Sequence, residues 1–180
     1  MREDLIIEIE IPEGLDVQES NSLLKVKGPK GEVEKNFIHP KVHLKIESKK
    51  IVLESKKSSK MEKKVIHSFA AHIKNMFKGV QEPHVYKLKI CSGHFPMNVS
   101  VSGKEITIKN FFGESVPRKT TLPEKAEVKV NGDEIVITSA DKEAAGQAAA
   151  KIESLCRITK RDIRIFQDGC YITEKAGKIL

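Results

Sequence analysis

The chain has 180 residues, 39% hydrophobic and 32% charged, with 32 Lys or Arg against 25 Asp or Glu. That is one ordinary domain or two small ones of globular, soluble composition, with no apolar run long enough to span a membrane as a helix. The surplus of +7 favours a polyanionic partner, and three cysteines without a C-x-x-C pair (Cys91, Cys156, Cys170) disfavour a disulfide framework or a zinc module and suit a reducing cytoplasm.

Residues 1–14 have acidic flanks and no long apolar core, so they are read as part of the fold and not as a secretory signal. Alternating segments predict strands at 7–11, 23–27, 32–37, 42–47 and 51–54, with turn residues between them. The stretch GPKGE at 28–32 lacks phosphate-loop spacing and reads as a tight turn that exposes Lys30. The lysine-rich run at 47–64 is interspersed with Glu and Ser, which is the pattern of a solvated face. The period then changes: Val65, Ile66, Phe69, Ile73, Met76 and Phe77 recur at helical spacing and predict a helix over 61–78. Ser59 and Glu62 form a capping box before it, and Gly79 is expected to end it.

The second half repeats the plan, with strands expected at 86–90, 98–101, 105–109, 115–120, 127–130 and 135–138 and a hairpin turn at Asn131-Gly132. A helix over 140–156 follows, with Ser139 as N-cap and Ala145, Ala148, Ala149, Ile152, Leu155 and Cys156 on its buried side. Three blocks are collinear: IPEGLDV (11–17) with FPMNVSV (95–101), LKVKGPKGE (24–32) with ITIKNFFGE (106–114), and KIVLES (50–55) with EIVITS (134–139). The first and last are 84 residues apart and set Val17 on Val101. This is a duplication. The expected fold is α+β, with two tandem similar domains at 1–82 and 83–180, each a small antiparallel or mixed sheet packed with one helix.

No nucleophile–base pair, P-loop or dinucleotide fingerprint occurs. Of the six histidines, His39 and His43 are separated by Pro40 in a β-rich stretch, His67 and His72 are five apart on different helix faces, and His84 and His94 lack acidic or Cys neighbours at ligand spacing. No enzyme, metal, cofactor or small-molecule substrate is therefore expected. What remains is a basic cluster after the second helix. Arg157, Lys160, Arg161 and Arg164 fall within eight positions and lead into Phe166, Gln167, Asp168, Gly169 and Tyr171. Guanidinium forks beside aromatics and an amide suit folded RNA, where phosphates and shape are read together. Two further strand-like pieces, 163–166 and 170–173, flank Asp168-Gly169. In a strand, Ile163 and Ile165 would turn to the core while Arg164 and Phe166 projected together, Arg164 free of any ion pair.

The segment KRDIRIFQDGCYI at 160–172 resembles the C-terminal signature of the large-subunit ribosomal protein six family, in its archaeal and eukaryotic branch. The match rests on Arg161, Arg164, Phe166, Asp168, Gly169 and Tyr171; Ile163 and Cys170 depart from the usual proline and aliphatic residue. IPEGLDV, LKVKGPKGE and VNGDEIVITSADKEAAGQAAAKIES are similar to that family's internal landmarks, so the resemblance covers essentially the whole chain. It implies a cytoplasmic structural protein of the large ribosomal subunit. Its C-terminal domain would hold rRNA beside neighbouring ribosomal proteins, near the docking region of translation GTPase factors. On that reading Arg157, Lys160, Arg161, Arg164 and Lys175 neutralise phosphates, and Phe166, Gln167 and Tyr171 support or contact bases. Lys109, Arg118 and Lys119 are secondary contacts, and Asp168-Gly169 shapes a turn. A competing reading is a non-enzymatic scaffold that recruits acidic protein partners.

Overall fold

The computed structural model describes residues 3–47 and 49–180. Met1 and Arg2 of the N-terminal stretch and Ser48 of the lysine-rich run lie outside the described residues. The chain forms two compact units, Met1–Pro83 and His84–Leu180.

In the first unit, alternation puts Leu5, Ile7 and Ile9 on the inner face of β1 (Glu3–Glu10). β1 pairs antiparallel with β6 (Lys50–Ser58), which also pairs with β5 (His43–Glu47), in the order β1-β6-β5. A second antiparallel sheet is made by β2 (Asp16–Ser20), β3 (Leu23–Gly28) and β4 (Gly31–Asn36). The helix α1 (Lys60–Gln81) packs on strands of both sheets and buries Ile66, Ile73 and Phe77 against Leu24, Val26, Ile51 and Leu53. β2 escaped the sequence reading because its residues Asp-Val-Gln-Glu-Ser offer one inward apolar position, Val17.

Ser59 caps α1 in a reciprocal box with Glu62, as its spacing implied. The expected stop at Gly79 is wrong. Gly79 is buried inside the helix, which runs on to Gln81 and ends where Pro83 drives Glu82 into extended backbone (φ −134°, ψ 115°). GPKGE is a tight turn, and it is also a clamp. Lys30 N–H donates to Val80 O at 3.0 Å, and a Cβ on Gly28 would lie 2.8 Å from that same oxygen. Only glycine lets the turn approach the last turn of α1 this closely.

The second unit repeats the strand order. β7 (His84–Cys91), β12 (Glu134–Ser139) and β11 (Glu127–Asn131) stand as β1, β6 and β5 do, while β8 (Asn98–Ser102), β9 (Glu105–Lys109) and β10 (Arg118–Thr121) repeat the second sheet. Registers correct one alignment. Val17 pairs with Val26 and Val99 with Ile108 across matching hairpins, so Val17 corresponds to Val99 and not to Val101. The helix α2 (Lys142–Leu155) is capped by Asp141, whose Oδ1 accepts from Glu143 N–H at 2.9 Å. Ser139, expected as the cap, instead donates to Lys125 O at 2.6 Å. Its stripe Ala145, Ala148, Ala149 and Ile152 is fully buried, and the small side chains bring the helix close to its sheet. The hairpin turn falls one residue later than expected: Asn131 pairs with Glu134, leaving Gly132 (φ 60°) and Asp133 as the loop. Beyond α2 the second unit adds β13 (Gly169–Lys175) and β14 (Lys178–Ile179), with β13 covering the free edge of β7.

Candidate nucleic-acid interface

The chain from Arg157 to Asp168 leaves α2 and returns as β13 without forming a strand. The strand expected at 163–166 is absent for a local reason. Asp162 O accepts from Ile165 N–H (3.1 Å) and Phe166 N–H (2.9 Å), and its carboxylate accepts from Arg164 N–H (2.9 Å). One aspartate thus supplies a complete turn in place of ladder bonds. Ile163 and Ile165 consequently stand 68% and 65% exposed rather than in the core. Arg164 is not free of an ion pair either: its Nη2 lies 2.7 Å from Asp162 Oδ2, and the guanidinium holds that carboxyl below its usual pKa.

The fixed point of the site is Asp168, 1% exposed. Its carboxylate accepts from the backbone N–H groups of Gly93 (3.1 Å), His94 (3.0 Å) and Phe95 (3.3 Å) and meets His94 Nδ1 at 2.8 Å. Burial works to raise its pKa, but the His94 bond and the three backbone donors outweigh burial and leave it lowered. The aspartate therefore ties the β7–β8 connection to the returning chain. The turn expected at Asp168-Gly169 is not there, because Gly169 already begins β13 and the chain turns at 163–165 instead.

Around this tie a stack is built. The rings of His94 and Phe166 lie 4.9 Å apart, and those of Phe166 and Phe112 lie 5.7 Å apart. Phe112 is presented by the left-handed pair Asn110 (φ 59°) and Phe112 (φ 50°) in the single 3-10 turn Phe111–Gly113. The Arg161 guanidinium sits 4.9 Å from the Phe112 centroid and 5.0 Å from that of Phe166. Cation–π contacts of this kind hold a guanidinium in place without consuming its N–H donors. Glu114 is gripped by Arg118, which with a smaller contribution from Arg161 holds its carboxyl below the usual range.

Arg118 is a tether. Nε and Nη2 grip Glu114 at 2.8 and 2.6 Å, Nη1 donates to Leu155 O (2.8 Å) and Arg157 O (3.2 Å), and the guanidinium lies 4.2 Å from the Phe111 centroid. It closes the end of α2 and fixes where the basic segment begins. Arg118→Lys, which keeps the charge but loses the planar fork, should lower stability by about 1–2 kcal/mol in thermal unfolding. An unchanged melting temperature would show that the carbonyl bonds contribute nothing.

Among the other expected contacts, Arg157, Gln167 and Tyr171 line one groove of about 1060 Å³ with His94, Ile163 and Ile165. Gln167 donates to Arg164 O at 3.3 Å, and Tyr171 is 41% exposed with its ring over Gly169. Lys160 is exposed beside Arg161 in a left-handed conformation (φ 61°). Lys109, Lys119 and Lys175 do not join the groove: Lys119 pairs with Glu105 at 3.4 Å, Lys109 ends β9 and Lys175 ends β13. Sequence reasoning missed His94 and Phe112. His94 has no acidic neighbour in sequence because its partner is 74 residues away, and only the adjacent Phe111-Phe112-Gly113 hinted at the stack. Among the described residues no group of three His, Cys, Asp or Glu is arranged to hold a metal.

Comparison with known proteins gives this arrangement a context. The profile of the family described as ribosomal protein L6 matches the chain twice, over residues 11–83 and 95–169. The large ribosomal subunit protein uL6 of Methanocella arvoryzae is 43% identical over 177 residues, covering 98% of this chain and 100% of that protein. The uL6 of Nanoarchaeum equitans is 46% identical over 179 residues, covering 95% of this chain and 93% of its own length. That of Haloarcula marismortui is 39% identical over 172 residues, covering 96% and 97%. With a duplicated fold that the family profile recognises in both units and archaeal relatives matched along almost their whole length, the chain belongs to the ribosomal protein L6 family, a structural constituent of the ribosome and not an enzyme.

Proposed function

We propose that the chain binds large-subunit rRNA through its C-terminal domain, 83–180, and stabilises the folded subunit in the cytoplasm. Neighbouring ribosomal proteins lie beside it, and the docking region of translation GTPase factors lies close by. The observation that carries this reading is Arg161, held within 5.0 Å of the Phe112 and Phe166 ring centroids with its N–H donors directed to no carboxylate among the described residues. A guanidinium fixed in place before binding loses little side-chain freedom when it meets a phosphate. Arg157 and Lys160 extend the phosphate track. Arg164 joins it by exchanging Asp162 for a phosphate oxygen. Gln167 and Tyr171 face the groove where a splayed base would enter, with Phe166 as the support beneath Arg161. Lys175, Lys109 and Lys119 are outlying contacts, and Arg118 serves by holding the segment in position.

Retention of the full chain on folded large-subunit rRNA, against retention on an acidic protein of matched charge density at the same ionic strength, separates this reading from the scaffold reading. Strong retention on rRNA alone is expected. Equal retention on both would return the basic surface to general attraction for acidic partners.

A further inference from the structure

The two units share a strand order but differ at one edge. In the second unit β13 covers the outer edge of β7; in the first, β1 pairs with β6 alone among the described strands. The backbone groups left over on β1 can be assigned. Ile11 N–H donates to Lys49 O at 2.9 Å, in register with the β1–β6 ladder, so Leu5, Ile7 and Ile9 direct their backbone groups to β6. Ladder bonds alternate in an antiparallel pair, and the N–H and C=O groups of Ile6, Glu8 and Glu10 therefore point outward. The side chains of these three residues are exposed on the outer face of the sheet, Ile6 to 61%.

The register of the second unit identifies their counterparts. Glu10 pairs with Lys50 and Lys89 with Glu134; Glu8 pairs with Val52 and Lys87 with Val136; Ile6 pairs with Glu54 and Val85 with Thr138. Each charge on this edge is inverted between the units. In the second unit the outward groups are taken: Tyr171 stands opposite Lys89, Glu174 opposite Lys87, and Ala176 N–H donates to Val85 O at 2.9 Å. Glu174 also closes a cross-strand ion pair with Lys87 at 3.2 Å. The edge of β7 is thus basic and is filled by a strand that brings a glutamate. The edge of β1 carries Glu3, Asp4, Glu8 and Glu10, has no Lys or Arg from Glu3 to Glu10, and is filled by no described strand. Glu8 meets Lys50 at 2.8 Å and Glu3 meets Lys63 at 3.3 Å, exposed pairs that a partner's cation can exchange, while Glu10 has no such cation within ion-pair distance among the described residues.

We propose that β1 is a docking edge that receives an extended basic segment of a partner protein as a fourth strand. That strand presents Lys or Arg opposite Glu8 and Glu10 and an apolar residue opposite Ile6. Main-chain bonds provide the attachment, and the inverted charges select the partner. Acidic side chains on an open edge also repel like-charged strands. The same glutamates that deter an acidic strand admit a basic one.

The test uses the full chain and a capped peptide of pattern Lys-Thr-Lys-Val-Val, with a twin carrying Glu for Lys. Binding is followed through hydrogen exchange of the Ile6, Glu8 and Glu10 amides. At about 1 mM peptide, which half-fills even a millimolar site, the basic peptide should protect these three amides, with roughly tenfold preference over its twin. Glu8→Pro removes an outward N–H and leaves the β6 ladder intact, a substitution that edge strands tolerate. It should abolish the protection while the β6 amides stay protected. The double variant Glu8→Lys, Glu10→Lys should reverse the preference toward the acidic twin. Absence of protection by either peptide, protection that survives Glu8→Pro, or an unreversed preference would each overturn the proposal.

Discussion

Asp168→Asn should lower the stability of the chain by about 2–4 kcal/mol, because it removes the charge from a buried group that organises four donors. The native carboxylate accepts from three consecutive backbone N–H groups and from His94 Nδ1, all within 3.3 Å. An amide of the same size keeps the packing but turns one face into a donor, which opposes the N–H groups of Gly93, His94 and Phe95. The pH dependence has a definite sign. The folded-state pKa lies below the unfolded value of about 3.9, so the carboxylate's contribution is present above that value and is lost as pH falls through the folded pKa. The variant should lack that acid-limb loss. Denaturant unfolding at neutral pH and along an acid series checks both statements. A change below about 1 kcal/mol with an unaltered acid limb would mean that the tie is peripheral to folding.

The architecture was legible because its signals are local and repeated. The capping box Ser59/Glu62, the alternation in β3 and β9 and the alanine stripe of α2 each follow from spacing along one element. Element ends were less so. Pro83 ends α1 where Gly79 was expected to, because the left-handed stop is only one of two ways to leave a helix. The strand at 163–166 failed because alternation records what the side chains would do on a sheet, while Asp162 offered the backbone a nearer partner. Nor was an edge available there, since β13 already occupies the outer edge of β7.

The site was legible in composition but not in geometry. Clustering of Arg157, Arg161 and Arg164 marked the segment, yet the division of labour among the cations depends on partners distant in sequence. Arg118 finds its carbonyls 37 and 39 residues away, and Arg161 finds Phe112 across the fold. Arg164 alone meets an acid two residues off, and the turn that replaces the strand is built by that same Asp162.

Arg161→Ala should reduce the magnitude of the slope of log affinity against log salt for large-subunit rRNA by roughly 0.7–0.9, the value of one phosphate contact. Arg161 is placed for this by aromatic rings that leave its fork open, whereas Arg164 must first release Asp162 and should change the slope by no more than that amount. Net charge argues the other way. Residues 1–90 hold 18 basic against 13 acidic groups, or +5, and residues 91–180 hold 14 against 12, or +2. If the sum of charge governed binding, an exposed first-unit lysine would matter as much as a stacked arginine. The direct measurement is therefore rRNA affinity of the full chain across a salt series for wild type, Arg161→Ala, Arg164→Ala and Lys30→Ala, with thermal unfolding alongside. A reduced slope for Arg161→Ala, with Lys30→Ala at the wild-type slope and all melting temperatures intact, is the predicted result. Unaltered slopes in both arginine variants, or a Lys30→Ala effect equal to that of Arg161→Ala, would contradict it.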